Sequence, residues 1–144
     1  MTAVGLLTIA QLLLLATGGQ HYQQAHDTAV ENDQPLLVLI GGDWCPGCAV
    51  MKKRVLLQLE RQKQTIQFAN VDINRQRSLA TKIANSTKIP RLVMYRQSVS
   101  GWKRWELAGV QSTEALEGFL RRGGSSVDRA DGSYVAALPD SGSQ

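Results

Sequence analysis

The sequence predicts a single α/β domain built around a mixed sheet, and three observations support this prediction. Segments with helical and strand-like periodicity alternate along the chain in the order α-β-α-β-α-β-β-α. The two cysteines, Cys45 and Cys48, lie where a predicted strand ends and a helix begins. The chain has 144 residues, 43% of them hydrophobic and 19% charged, which is typical of one globular domain.

The first half of the chain predicts two helices and two strands. Residues 22–32 place their apolar side chains on one side of a short helix, which ends before Pro35. Residues 35–40 form an apolar block typical of a buried strand, and residues 49–59 have the apolar spacing of an amphipathic helix. Residues 66–71 alternate in polarity and predict the second strand.

The second half predicts a short helix, a hairpin and a closing helix. Leu79, Ala80 and Ile83 in the segment after Asn74 predict the short helix. Residues 91–96 and 102–107 predict two antiparallel strands joined by a turn, and a helix capped by Ser112 follows and ends at Gly123. Strand–helix–strand crossovers followed by a hairpin make the expected sheet mixed, with four strands and helices packed on it.

The N-terminal and C-terminal segments of the chain are expected to lie outside the folded domain. Residues 4–16 are an apolar run of the length of a signal-peptide core, followed by small residues where cleavage would occur. An uncleaved membrane anchor and a packed N-terminal helix are the alternatives. The expected organisation is a signal peptide or anchor over residues 1–19, a domain over 20–123 and a disordered Gly- and Ser-rich tail over 124–144. Export to the periplasm or another extracytoplasmic compartment is therefore expected.

The charge distribution gives little support to nucleic-acid binding. The net charge is +4, and no Lys or Arg occurs before Lys52. After that position the basic residues are scattered over helices and strands, and no nucleic-acid-binding motif accompanies them. A solvated basic surface is the simpler interpretation, and we expect no nucleic-acid partner.

The spacing and position of the two cysteines predict redox chemistry. A helix N-terminus carries unpaired N–H groups and the positive end of the helix dipole, which should lower the pKa of the Cys45 thiol. Cys45 is then the nucleophile, and Cys48, three residues later, is the resolving thiol. An inert disulfide is the alternative. A zinc site needs two more ligands that the distant His21 and His26 are poorly spaced to provide, and c-type haem attachment needs a histidine where Ala49 stands. We expect neither a metal nor another cofactor.

At this point the chain resembles the thioredoxin superfamily over nearly all of residues 22–122. The resemblance rests on Trp44-Cys45-Pro46-Gly47-Cys48 after a buried strand, Val71-Asp72 at the end of the next strand, Lys88-Ile89-Pro90 before the following strand, and Gly109 before the last helix. It implies a thioredoxin-like fold and thiol–disulfide exchange with protein substrates.

The resemblance also implies roles for residues around the cysteines. Pro90 corresponds to a cis-proline that lies against the active-site disulfide, and Ile89 supplies backbone groups that pair with an extended substrate. Trp44 and Gly109 complete the implied substrate-binding set. An ordinary trans-proline opening a strand is the alternative for Pro90.

Two departures from the family pattern affect the expected chemistry. A buried acid and its lysine partner, which the family places near the resolving cysteine, are replaced by Leu39 and Phe68. Water or Asp43 would then take the proton, unless Asp43 is simply an exposed loop residue. Arg91 follows the proline, where it can stabilise a thiolate, select acidic substrates, or be a solvated strand residue.

Two functions therefore compete at the level of sequence. The first is an exported, monomeric thiol–disulfide oxidoreductase that exchanges electrons with protein disulfides or dithiols and with a membrane or soluble electron partner. The second is a thioredoxin-fold module that binds extended peptides beside Pro90 without redox turnover. The presence of both Cys45 and Cys48 favours the first, because a binding module needs neither. Whether the protein acts as oxidant, reductant or isomerase is left open by the sequence.

Overall fold

The structure is a computed structural model that describes residues 21–62, 65–124, 133–135 and 137–141. Its helices and strands follow the order that the sequence predicts, with one short strand added near the C-terminus. The elements are α1 (Tyr22–Glu31), β1 (Leu36–Gly41), α2 (Pro46–Arg61), β2 (Gln67–Asp72), α3 (Arg77–Ile83), β3 (Arg91–Ser98), β4 (Gly101–Ala108), α4 (Thr113–Gly124) and β5 (Ser133–Val135).

The strands form one mixed sheet in the order β2-β1-β3-β4-β5. β1 and β2 are parallel, with Leu39 opposite Asn70, and α2 makes the crossover between them. β3 pairs antiparallel with β1 and with β4, which forms a hairpin with it. The predicted mixed four-stranded sheet with flanking helices is confirmed, and β5 extends it at the β4 edge.

The second connection differs from the parallel crossover that the sequence order suggested. β3 runs antiparallel to β1, so the chain enters it from the end of the sheet at which β2 finishes. The length of the helices explains the difference. The 16 residues of α2 span about 24 Å, enough to return along a whole strand, whereas the 7 residues of α3 span only about 10 Å.

β1 lies at the centre of the fold because both of its faces are covered. All six of its residues are buried, and the five that precede Gly41 alternate between two hydrophobic layers. Leu36, Val38 and Ile40 pack in the layer that contains α1 and α3. Leu37 and Leu39 pack in the layer that contains α2 and α4. The strand that leads to the cysteines is thus held from both sides.

The described part of the C-terminal segment, which the sequence assigns to a disordered tail, contacts the domain at three points. β5 pairs with β4, Leu138 is buried in the α1 layer, and the Tyr22 hydroxyl donates to the Pro139 carbonyl. A single leucine and a three-residue strand give no periodicity, so the sequence pattern carried no signal of this docking. The rest of the predicted tail and the predicted export segment, residues 1–19, lie outside the described residues.

Within the ranges described, no helix is both long enough and apolar enough to cross a membrane.

Candidate active site

The two cysteines lie at the junction of β1 and α2, as the sequence predicts. Cys45 is the N-cap of α2 and Pro46 is its first residue. The Cys45 Sγ accepts a hydrogen bond from the Cys48 N–H at 3.1 Å, so the sulfur already occupies the place where the helix end favours an anion. The cysteines form a disulfide with Cα atoms 5.2 Å apart, and both are more than nine-tenths buried.

Two glycines lie in close contact with the side chains around the disulfide. A Cβ on Gly41 would lie 3.0 Å from the Cys48 Cβ and 3.1 Å from its Sγ. A Cβ on Gly47 would lie 2.9 Å from a methyl carbon of Val110 and 3.6 Å from the Pro90 Cδ. The disulfide is therefore enclosed by β1 on one side and by the loops containing Pro90 and Val110 on the other.

Pro90 adopts the cis conformation that the resemblance implied. The Ile89–Pro90 peptide bond is cis, Pro90 is buried, and its carbonyl accepts the Gly109 N–H at 2.9 Å. Gly109 has a φ of +80°, in the left-handed region that favours glycine. These contacts bring Ile89, Pro90 and Gly109 together beside the cysteine loop.

Trp44 forms the exposed edge of the site. Its side chain is 67% exposed although it is the residue immediately before Cys45. The indole lies over the Gly42 backbone, where a Cβ would be 3.0 Å from the Trp44 Nε1 and 3.4 Å from the Ile89 Cδ1. Val110, which is half-exposed, provides a second apolar side chain on the other flank. The geometry is thus a buried disulfide at the base of an exposed, partly apolar surface.

Comparison with known proteins agrees with this geometry. The family model described as thioredoxin matches residues 19–122. The chain belongs to the thioredoxin family. No curated protein sequence matches it significantly.

Solved thioredoxin structures share the fold at low sequence identity. A point mutant of thioredoxin from Halobacterium salinarum is 20% identical with a TM-score of 0.60, over 75% of this chain and 90% of the other. A chloroplastic thioredoxin z is 12% identical with a TM-score of 0.60, over 72% and 90%. Mitochondrial thioredoxin 3 from Saccharomyces cerevisiae is 16% identical with a TM-score of 0.53, over 66% and 84%.

The thioredoxin domain differs from the family pattern at the two buried positions where the sequence has Leu39 and Phe68. Leu39 is 1% exposed and Phe68 is 7% exposed, and both pack in the α2 layer. Asp43 does not reach into that layer, since it is exposed and pairs with Arg75 at 2.9 Å. The loop-residue interpretation of Asp43 therefore fits the structure better than a buried proton acceptor.

Arg91 has a role that none of the three interpretations anticipated. Its guanidinium pairs with Glu106 and donates to the Ser86 Oγ at 3.0 Å and to the Lys88 carbonyl at 3.4 Å. Arg104 pairs with the same carboxylate and donates to the Ile83 carbonyl at 2.8 Å. Arg91, Glu106 and Arg104, here called the ion cluster, fasten the segment before Pro90 to β3 and β4. The sequence could not reveal the cluster, because Glu106 lies on another strand.

A polar cleft beside the disulfide was also missed at the level of sequence. It has a volume of about 370 Å³, and both cysteines, Lys52, Asn70 and Asp72 are among its lining residues. Backbone N–H groups of Arg75 and Asn74 donate to Asp72 and hold the pKa of its carboxyl below the usual range. The cleft thus connects both cysteine residues to solvent. The spacing of Lys52, one helical turn after Cys48, was the available signal.

The described residues contain no cluster of three or more His, Cys, Asp or Glu side chains that would suit a metal ion.

Proposed function

We propose that this protein is a thiol–disulfide oxidoreductase in which Cys45 is the nucleophile and Cys48 the resolving thiol. The observation that carries the proposal is the position of the Cys45 sulfur. It caps α2, accepts the Cys48 N–H, and lies at the base of the surface formed by Trp44, Pro90 and Val110. The N–H groups and the dipole of the helix N-terminus stabilise a thiolate at this position, as they do at other cysteines of low pKa.

The chemistry requires two exchange steps. In the reduced protein the Cys45 thiolate attacks one sulfur of a substrate disulfide. The Cys45–substrate bond forms, the substrate S–S bond breaks, and the departing thiolate takes the proton that Cys48 releases through water. Cys48 then attacks the Cys45 sulfur, a second substrate thiolate leaves and is protonated by water, and the Cys45–Cys48 disulfide results. Run in reverse, the same steps oxidise a substrate dithiol.

The surface around the disulfide suits an extended polypeptide segment. Ile89 and Pro90 stand beside the cysteine loop, and the Gly109 N–H is fixed by the Pro90 carbonyl. Trp44 and Val110 are exposed apolar side chains on either flank. In the proposed complex, the Ile89 backbone pairs with the substrate main chain while the apolar flanks exclude water from the exchanging sulfurs.

Trapping tests the roles of the two cysteines. Cys48→Ser should accumulate mixed disulfides with protein substrates through Cys45, because the thiol that resolves them is gone. Cys45→Ser is the matched control and should trap none. In the reduced wild-type protein, iodoacetamide should label Cys45 far faster than Cys48, as read by peptide mass mapping. If neither variant traps a protein partner and the wild type does not reduce insulin, a binding module without turnover is favoured.

The proposed cellular setting is extracytoplasmic, with electrons supplied or removed by a membrane or soluble partner. The apolar composition of residues 4–16 supports export, as does a cysteine content limited to the redox pair. N-terminal sequencing of the protein expressed in its host tests this, and a mature chain should begin near residues 18–21. The reduction potential, measured against glutathione, determines the direction of electron flow.

A further inference from the structure

A groove beside Trp44 carries unpaired positive charge. The groove has a volume of about 650 Å³ and extends from Trp44, across the surface of α3, to the segment that precedes Ile89. Its charged lining residues are Arg77 and Lys88, and no carboxylate lines it. Asn74, Thr81, Asn85 and Thr87 contribute exposed polar groups to its walls. We call it the basic groove.

The two cations of the basic groove are available to a ligand. Both side chains are exposed, and neither takes part in an ion pair with another residue of the described ranges. The nearby carboxylates have other partners: Asp43 pairs with Arg75, Asp72 accepts the backbone N–H groups of Asn74 and Arg75, and Glu106 lies in the ion cluster. The basic groove therefore presents net positive charge beside Trp44, the residue before Cys45.

The position of the basic groove ties it to the exchange reaction. One wall is Trp44, whose neighbour in the chain is Cys45, and the other wall is the segment 85–88, which leads directly into Ile89 and Pro90. A peptide whose cysteine reaches Cys45 and whose main chain lies along Ile89 must place flanking residues over one of these walls. The groove is therefore positioned to contact the side chains that flank the substrate cysteine.

We infer that the basic groove selects protein substrates whose reactive cysteine is flanked by Asp or Glu residues. Carboxylates are the complementary ligands for a guanidinium and an ammonium, and the polar walls can donate further hydrogen bonds. The inference rests on the proposed oxidoreductase function. Each exposed pair should contribute a factor of roughly two to five, so two together give about a tenfold preference. The preference should decline with salt, since exposed charges are screened within about 3 Å at 1 M.

Three disulfide-bonded peptides that differ only at the two positions beside each cysteine provide the test. Those positions are Glu, Ser or Lys, dithiothreitol supplies the electrons, and the uncatalysed reduction is subtracted. For the full chain at low salt, kcat/KM should be about tenfold higher for the Glu peptide than for the Ser peptide, and lowest for the Lys peptide. Equal values for the three peptides would overturn the inference while leaving the oxidoreductase function intact. No catalysed reduction of any peptide would instead count against the proposed function itself.

Charge variants locate the selectivity in the basic groove. Arg77→Gln with Lys88→Gln should reduce the Glu-to-Ser ratio to about two. The matched control, Lys53→Gln with Arg61→Gln, removes the same charges from exposed positions of α2 outside the groove and should keep the ratio near ten. Arg77→Glu with Lys88→Glu should reverse the preference in favour of the Lys peptide. An equal loss of selectivity in the control, or an unreversed preference in the charge-swapped variant, would refute the assignment to this groove.

Discussion

Replacing Glu106 by Gln should destabilise the domain by about 2 kcal/mol, because the ion cluster has a single carboxylate between two arginines. The side chains of Arg91, Glu106 and Arg104 are 15%, 22% and 21% exposed, so little water reaches them. A hydrogen bond to a charged group contributes about 1.5–3 kcal/mol, and the substitution weakens the Arg104–Glu106 hydrogen bond and the Arg91–Glu106 ion pair. Partial exposure and the retained amide reduce the sum to about 2 kcal/mol.

Thermal unfolding measures this loss. For a domain of this size the change corresponds to a fall in Tm of about 10 °C. Glu117→Gln is the matched control, because Glu117 and Arg121 form an exposed pair 3.7 Å apart on α4, which contributes about 0.5 kcal/mol or less. If both variants lose the same small amount of stability, the ion cluster does not stabilise the domain by the expected amount of about 2 kcal/mol.

The same variant tests what the ion cluster does for the site. Arg91 holds the Ser86 side chain and the Lys88 carbonyl, so a weakened cluster should loosen the segment before Pro90. We expect kcat/KM for insulin reduction to fall several-fold in Glu106→Gln, while the rate of Cys45 alkylation changes less than about twofold. An equal fall in kcat/KM and in the Cys45 alkylation rate would mean that the ion cluster affects the reactivity of the thiol and not the segment before Pro90.

Three further predictions address other parts of the fold. Gly47→Ala should lower insulin reduction several-fold with a Tm change below about 3 °C, because the added methyl displaces only the half-exposed Val110. Leu138→Ala should cost about 2 kcal/mol in urea unfolding, since this leucine is 7% exposed in the α1 layer, and no effect would contradict the docking of the C-terminal segment. Burial raises the pKa of Tyr22, so its contribution to stability is present below pH of about 10 and is lost as the pH rises towards the folded-state pKa. Tyr22→Phe should therefore lose less stability than the wild type between pH 8 and 10.5, and an equal loss in both would show that ionisation of this phenol does not contribute.

The sequence was sufficient for the features that depend on local pattern. Helical and strand-like periodicity predicted the element order, and the position of Cys45 between an apolar block and an amphipathic helix predicted its role as N-cap. The cis conformation of Pro90 followed from the family resemblance, because the residues around an X–Pro bond do not by themselves decide its isomer.

The features that escaped prediction depend on partners far apart in the chain. Arg91 gave three interpretations because its partner, Glu106, lies on β4 and becomes adjacent only through the β3–β4 register. The direction of β3 depends on how far α3 can carry the chain, which periodicity does not report. Leu138 reaches the core by packing against elements more than 40 residues earlier, so nothing in its neighbourhood distinguished it from a solvated residue.

The pairing of β5 with β4 has a consequence for how copies of this chain meet. A sheet edge with free N–H and C=O groups can add a strand from another molecule, which is a common start of aggregation. β5 covers that edge of β4 from Trp102 to Arg104. A three-residue strand thus protects part of an eight-residue edge, and a chain shortened before residue 133 should associate through β4 at concentrations at which the full chain stays dispersed.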